Sequence, residues 1–236
     1  MFSIIIPTKN EEEYLPILLE SIKQQSVQPC EVIVADAHST DQTSEIALRF
    51  GALMVDGGMP AVGRNRGATL ARGDVLIFLD ADVVLTERDM LERALGEMME
   101  RKLDLATCDV MPISDSWVDH AMHRAYNHYV RICGAVMPHA PGFCLLVRKE
   151  MHEAIGGFDE SIVFCEDHDY AVRLARVGRF GFLHSVKIPV SIRRMDRDGR
   201  FTIAVKFALA EAHILTIGPI RHGLFHYTFG HRRRQK

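Results

Sequence analysis

Two aspartates that follow a continuous apolar run are the residues best suited to do chemistry. Asp80 and Asp82 come directly after five apolar residues, 75–79. Such a run predicts a strand of a parallel sheet covered on both faces, and ligands of these sheets bind at the carboxyl ends of the strands. Two carboxylates there suit a hard divalent cation, which completes its coordination with water and substrate phosphates. The alternative is that one aspartate caps the next element and the other is solvated.

The first hundred residues, which must position these aspartates, alternate between predicted strands and helices. The strands are predicted at residues 2–7, 30–36, 52–55 and 75–79. This alternation predicts an α/β fold, with a Rossmann-like, mostly parallel central sheet and helices on both faces. Asp36 ends the second strand, so we expect it beside Asp80 and Asp82. Asn10 and Thr86 are predicted helix N-caps, because each has an acid three residues later. The glycine fingerprints of dehydrogenases and nucleoside triphosphatases are absent from the sequence.

The second half of the chain has less regular patterns. Strands are predicted at 105–111, 141–148 and 180–183, and helices at 117–132, from 166 onward and at 201–217. The helix at 117–132 carries His120, His123 and His128, for which we expect a solvated face rather than a set of metal ligands. Glu166 and Asp167 open their helix, where acids are also favoured by the helix dipole alone.

Composition indicates a globular protein with an uneven charge distribution. The 236 residues are 47% hydrophobic and 25% charged, with a net charge of −3. Residues 187–236 hold eleven Lys or Arg and three Asp or Glu, so a basic segment follows an acidic body. The five scattered cysteines are expected to be reduced thiols, which favours the cytoplasm. We expect no signal peptide and no transmembrane helix. We also expect no nucleic-acid partner, because the acidic body would repel a phosphate backbone.

Six motifs together resemble family 2 glycosyltransferases of the GT-A fold over roughly residues 2–200. They are Ile-Pro-Thr-Lys-Asn-Glu at 6–11, Val-Ala-Asp-Ala-His-Ser-Thr-Asp at 34–41, Arg-Asn-Arg-Gly at 64–67, Asp-Ala-Asp at 80–82, Gly-Gly-Phe-Asp-Glu at 156–160 and Glu-Asp-His-Asp-Tyr at 166–170. Each motif is weak alone, and the specificity lies in their order and spacing. We therefore expect a catalytic domain at 1–200, followed at 201–236 by an amphipathic helix and a basic tail.

The resemblance implies an inverting transfer of one sugar from a UDP- or GDP-linked donor with Mg²⁺ or Mn²⁺. It places the nucleotide sugar at Pro7, Thr8, Glu11, Asp36, Arg64 and Asp80. It makes Asp82 the direct metal ligand, with His184 either completing the metal shell or serving a structural role. Asp167 matches the family's general base, with Glu166 holding the acceptor or orienting Asp167. If the acceptor is a phosphate, which is already ionised, Asp167 has a positioning role only.

Departures from the family pattern bear on the acceptor. Processive synthases carry Gln-x-x-Arg-Trp after the base, whereas this chain has Ser-Ile-Arg-Arg at 191–194. This favours a single transfer, and Arg193 and Arg194 are expected to bind a diphosphate or a lipid phosphate through their guanidinium groups. The acceptor is expected to be a glycan or a lipid-linked molecule. The alternative functions are a polyprenyl-phosphate glycosyl synthase and a nucleotide-sugar-binding protein without turnover.

The C-terminal segment leaves two interpretations open. Aromatic residues at 225–229 stand beside the cationic cluster Arg232-Arg233-Arg234. This combination fits peripheral contact with anionic lipids on the inner face of the cell membrane. The other interpretation is a helix packed on the catalytic domain, followed by a disordered charged end.

Overall fold

One seven-stranded sheet, with helices on both faces, forms the frame of the molecule. The computed structural model describes residues 1–134, 138–223 and 229. The strands are β1 Phe2–Thr8, β2 Glu31–Asp36, β3 Leu53–Asp56, β4 Val75–Leu79, β5 Leu105–Ile113, β6 Cys144–Arg148 and β7 Phe180–Ser191. The helices are α1 Leu15–Lys23, α2 Thr43–Arg49, α3 Pro60–Leu70, α4 Met90–Glu100, α5 Trp117–Cys133, α6 Lys149–Ala154, α7 Glu166–Ala175, α8 Arg193–Asp198 and α9 Arg200–Thr216.

The strand order explains where a ligand would bind. The sheet runs β3-β2-β1-β4-β6-β5-β7, and only β6 is antiparallel to its neighbours. The chain moves outward from β1 to β3 and then returns to place β4 on the other side of β1. This reversal creates a crevice at the carboxyl ends of β1 and β4, the position where open α/β sheets bind their ligands. The predicted α/β fold with a mostly parallel sheet is confirmed.

The apolar runs form strands because both faces of the sheet are covered. Alternate residues of a strand point to opposite faces, so Ile4 and Ile77 pack in one apolar layer while Ile5 and Phe78 pack in the other. All four side chains are fully buried. A strand in this setting has no solvated face, so its polar residues must lie at its ends.

Several predicted boundaries differ from the structure. Helix α1 begins at Leu15 and α4 at Met90, so Asn10 and Thr86 are not their N-caps. Asn10 has a positive φ of 55°, and its side-chain oxygen accepts the backbone N–H of Thr40 at 2.9 Å. The Asn10 side chain therefore binds the backbone of a residue thirty positions away instead of capping α1. Helices α6 and α8 were not predicted.

The C-terminal helix α9 packs against the body through one face. Ala210 is buried in a small cluster with Phe164, Cys165 and Ile220. Other apolar side chains of α9 face outward, and Phe201 is 82% exposed. No helix among the described residues has both the length and the apolar character needed to span a membrane. The predicted basic end at 232–236 and the aromatic residues at 225–228 lie outside the described residues.

Candidate active site

The carboxyl ends of β1 and β2 hold Asp36 in a fixed orientation. Thr8 and Asp36 are register partners, and the Thr8 hydroxyl donates to Asp36 Oδ1 at 3.1 Å. Ser39 donates its backbone N–H to Oδ2 at 3.0 Å and its hydroxyl to Oδ1 at 2.5 Å. The Ser44 hydroxyl donates to Oδ2 at 3.2 Å. Four donors match the lone-pair capacity of a carboxylate, so a ligand N–H would have to replace or share one of these bonds.

A buried arginine connects the end of β4 to the start of α7. Arg64, on α3, lies 3.0 Å from Asp80 Oδ1 through Nη2 and 2.6 Å from Glu166 Oε1 through Nη1. Its side chain is 3% exposed. Burial raises the pKa of Asp80 to about 6, although Arg64 acts in the opposite direction. The resemblance predicts Arg64 beside the nucleotide, and in the structure Arg64 joins the two acidic motifs.

Gly142 lets the Arg64 bridge and Asp167 approach each other. The Gly142 N–H donates to Asp167 Oδ2 at 2.6 Å, and its carbonyl lies 3.4 Å from Arg64 Nη2. A Cβ at this position would lie 2.9 Å from both Arg64 Nη2 and Asp167 Oδ2. The other oxygen of Asp167 accepts the backbone N–H of His168 at 3.0 Å. Burial raises the pKa of Asp167, which moves this carboxyl toward the range useful for a base at neutral pH.

A second arginine holds Asp82 and Glu11. Arg193, the first residue of α8, binds both oxygens of Glu11 at 2.7 Å, and its Nε lies 3.0 Å from Asp82 Oδ2. Its guanidinium also covers the ring of Tyr14, 4.5 Å from the centroid. Burial, with the nearby carboxylates of Asp82 and Asp80, raises the pKa of Glu11 to about 7 against the effect of Arg193. Buried Glu11 and half-buried Asp82 thus share one cation.

These groups adjoin a cavity of about 560 Å³. Its acidic end contains Glu11, Asp80 and Asp82, together with Arg64, Arg193 and Arg194. Its apolar walls come from α5 and α9 through Met122, Tyr126, Tyr129, Ile203 and Phe207. The two helices are joined by an ion pair in which Arg200 binds both oxygens of Asp119, at 2.5 and 2.9 Å. The site therefore combines a charged end with an apolar chamber.

The structure does not bring His184 to Asp82. His184 lies in an irregularity of β7, where the register with β5 jumps from Leu183 to Lys187. The four residue steps from Lys187 to Ser191, at ~3.3 Å each, place it roughly 13 Å or more below the carboxyl end of the strand. Its backbone N–H donates to the Glu97 carboxylate at 2.9 Å, and its exposed ring lies 3.3 Å from Arg131 Nη1. Of the two roles expected for His184, these contacts support the structural one rather than a place in the metal shell.

Sequence patterns did not reveal two features of the cavity wall. His123 is 8% exposed and lines the cavity, so the solvated position expected for it was wrong. A cluster of His139, His168 and Glu211 lies beside the chamber. Their separation in the sequence leaves no local spacing that could have indicated the cluster.

Comparison with known proteins identifies the family. The family model described as "Glycosyl transferase family 2" matches residues 3–156. The chain belongs to glycosyl transferase family 2. This region contains Thr8, Asp36, Arg64, Asp80 and Asp82, while Asp167 and α9 lie beyond it.

The matches to curated relatives of this family 2 member cover only part of each relative. The 4,4'-diaponeurosporenoate glycosyltransferase of Staphylococcus haemolyticus is 36% identical over 135 residues, which cover 53% of this chain and 34% of the relative. A PGL/p-HBAD biosynthesis glycosyltransferase of Mycobacterium bovis is 39% identical over 121 residues, which cover 47% of each chain. The matched regions thus span between about a third and a half of these relatives.

Solved structures share the fold. The mannosyltransferase PcManGT from Pyrobaculum calidifontis, in complex with GDP-Man and Mn²⁺, has a TM-score of 0.70 at 22% identity, covering 89% of this chain and 61% of that one. S. aureus TarS 1-349 has a TM-score of 0.66 at 20% identity, covering 92% and 72%. At these identities the similarity shows the fold alone, and it confirms the predicted GT-A architecture.

Proposed function

We propose that this family 2 member transfers one sugar, with inversion, from a nucleotide-diphosphate sugar to a hydroxyl of an amphiphilic acceptor. The observation that carries the proposal is the Arg64 bridge, which sets Asp80 and Glu166 on either side of one guanidinium at 3.0 and 2.6 Å. The bridge couples the acids at the end of β4 to the first turn of α7. An inverting transfer needs a donor site and an acceptor base held in this kind of fixed relation.

The nucleotide is assigned to the crevice beside β1, β2 and β4. Asp36 would accept a ring N–H of the base in place of the Ser44 hydroxyl, the longest of its four bonds at 3.2 Å. The GDP-Man complex of PcManGT and the UDP-GlcNAc complex of TarS 1-349 support a nucleotide sugar as donor. They leave both UDP- and GDP-linked sugars as candidates for this chain.

The residues at the acidic end fit a divalent cation. Glu11 and Asp82 are hard oxygen donors of the kind that Mg²⁺ and Mn²⁺ prefer, and they already converge on one positive group, Arg193. We assign Asp82 as the metal ligand, without His184. When bound, the ion neutralises the negative charge that builds on the departing diphosphate. Arg193, released from Asp82, and the neighbouring Arg194 would then bind phosphate oxygens.

Asp167 is assigned as the base that takes the proton from the acceptor hydroxyl. Its backbone partners at Gly142 and His168 fix the carboxylate, and its raised pKa suits proton transfer near neutral pH. Glu166, bound to Arg64, orients this turn of the helix. A binding protein without turnover would have no use for a carboxyl held in this way.

The acceptor is assigned to the apolar chamber between α5 and α9. Aromatic and aliphatic walls favour a hydrocarbon or aromatic portion, while the hydroxyl would lie toward Asp167, whose neighbours Arg64 and His168 line the cavity. The outward face of α9 supports peripheral membrane contact, because Phe201 and Leu215 are 82% and 64% exposed. A polyprenyl-phosphate acceptor is the second candidate, supported by Arg194 in the cavity wall.

Thermal unfolding with UDP-, GDP- and dTDP-sugars, each with and without Mn²⁺, tests the donor site. A ligand at 100 times its dissociation constant adds about 2.7 kcal/mol to the free energy of unfolding. We expect one nucleotide to raise the melting temperature in a manner that requires Mn²⁺. The absence of a shift with every nucleotide sugar would contradict the proposal.

A further inference from the structure

Three side chains from separate segments meet beside the apolar chamber. They are His139 in the loop before β6, His168 in the first turn of α7 and Glu211 on α9. One potential ligand atom of each lies within 4.8 Å of the other two. His139 Nε2 is 2.9 Å from Glu211 Oε1, and the rings of His139 and His168 are 4.5 Å apart between centroids. The arrangement brings two imidazoles and one carboxylate to a single point.

The cluster has one buried and two half-buried members, and all three can donate lone pairs. His139 is 1% exposed, and the Nδ1 atom of His168 is buried without a hydrogen-bond partner among the described residues. Neutral imidazole is the form that binds metal ions. A buried polar nitrogen without a partner is costly, and a metal ion bound through Nδ1 of His168 would relieve that cost.

We propose that His139, His168 and Glu211 form a transition-metal site, with Zn²⁺ as the preferred ion. Two histidines and one glutamate, with a fourth position left open, are a recurrent ligand set for Zn²⁺. Mg²⁺ and Ca²⁺ prefer sites made only of oxygen atoms, and Mn²⁺ is the weakest binder among the first-row divalent metals, so this cluster favours Zn²⁺ over the ions assigned to Asp82. The two sites share no residue.

The geometry requires a small contraction of the cluster. Ligand atoms at ~2.1 Å from a tetrahedral ion lie roughly 3.4 Å apart. His139 and Glu211 are already within that distance, at 2.9 Å. The widest separation of up to 4.8 Å can close through side-chain rotation of Glu211. Glu211 and His168 both line the chamber, so the open position of the ion faces the acceptor region and would take water or an acceptor oxygen.

The proposed ion would cross-link three segments beside the apolar chamber. It joins α9 to the turn of α7 that carries Glu166 and Asp167, and to the loop that carries Gly142. Among the described residues, the bond between His139 and Glu211 already joins the loop to α9 at this point, and the ion would add α7 to that connection. The ion would therefore stabilise the chamber independently of the donor.

Titration of the EDTA-treated protein with Co²⁺ tests the site, because tetrahedral Co²⁺ has visible d–d absorption that reports its ligands. We expect a saturable band that Zn²⁺ abolishes by competition. Even outer-shell partners of a metal change its affinity by about 10–100-fold, so Glu211→Gln and His168→Ala should weaken Co²⁺ binding by at least ~100-fold. Glu211→Gln keeps the size of the side chain and its bond to His139, and circular dichroism verifies that each variant is folded.

Two control variants separate this site from other metal binding. His128→Ala removes an exposed imidazole of α5, and Asp82→Ala removes the ligand assigned to the donor site. Both should leave the Co²⁺ band and its affinity unchanged. The proposal is overturned if wild-type protein gives no band, if Glu211→Gln binds Co²⁺ as tightly as wild type, or if Asp82→Ala abolishes the band.

Discussion

Arg193 and a divalent cation compete for the same two carboxylates, and this competition can be measured. Arg193 binds Glu11 with two hydrogen bonds of 2.7 Å and Asp82 with one of 3.0 Å. An ion that binds Asp82 through Oδ2 must displace the guanidinium from that oxygen. Arg193→Met retains most of the apolar stem over Tyr14 and removes the competing charge. We therefore expect the variant to bind Mn²⁺ more tightly than wild type in the absence of donor.

The magnitude follows from the bonds that must break. A hydrogen bond between charged groups contributes about 1.5–3 kcal/mol, and displacing Arg193 from Asp82 removes one such bond. At 1.4 kcal/mol per factor of ten, Mn²⁺ affinity should rise roughly 10- to 100-fold. The same substitution leaves buried Glu11 and half-buried Asp82 without their cation, which should lower the free energy of unfolding by at most about 3–5 kcal/mol when no metal is added.

Isothermal titration with MnCl₂ after EDTA treatment measures the affinity, and thermal unfolding with and without Mn²⁺ measures the stability. Arg197→Met is the matched control, since Arg197 lies on the same helix and pairs with Asp198. The control should bind Mn²⁺ as wild type does. Equal or weaker Mn²⁺ binding by Arg193→Met would refute the competition, because it would mean that the arginine supports the ion rather than opposing it.

Four further outcomes are expected. Asp82→Ala should abolish the Mn²⁺-dependent thermal shift with the donor, and a retained shift would remove the metal assignment. Asp167→Asn should keep donor binding by calorimetry and lose transfer to a hydroxyl acceptor, whereas wild-type transfer rates would indicate a phosphate acceptor or another base. Gly142→Ala places a Cβ 2.9 Å from two polar atoms and should cost about 1–3 kcal/mol in urea unfolding, while Gly96→Ala, which meets nothing within 4 Å, should not destabilise. The pKa of Glu11 rises from 4.5 to about 7 on folding, so between these pH values the folded state binds more protons than the unfolded state. The free energy of unfolding should therefore fall by roughly 3 kcal/mol as the pH rises through this window. Glu11→Gln should remove this dependence of stability on pH.

The sequence was most informative where local pattern and burial agree. Strand β4 could be placed because five apolar residues ended at Asp80, and the sheet does bury that strand on both faces. Asp36 followed from the same reasoning for β2. Both predictions depend only on the order of apolar and polar residues along a short segment, and each segment forms the predicted strand in the structure.

Contacts between distant segments could not be predicted from the same patterns. Asn10 has the local signature of an N-cap, but its amide oxygen accepts the N–H of Thr40 in the structure. Arg64 bridges Asp80 and a glutamate 102 residues away. His139 and Glu211 are 72 residues apart. In each case the path of the chain through the fold determines which residues meet, so the spacing of residues along the sequence does not predict the contact.

The position of β6 has a consequence for synthesis on the ribosome. β5 is made before β6, yet β6 lies between β4 and β5 in the sheet. At about 5–20 residues per second, the 35 residues from Ile113 to Arg148 take roughly 2–7 s to translate. During that interval the half-sheet of β1 to β4 can assemble, whereas β5 has no neighbour to pair with and leaves its apolar residues uncovered. The nascent chain therefore passes through a period in which a chaperone can recognise β5, and this period ends when β6 joins the two halves of the sheet.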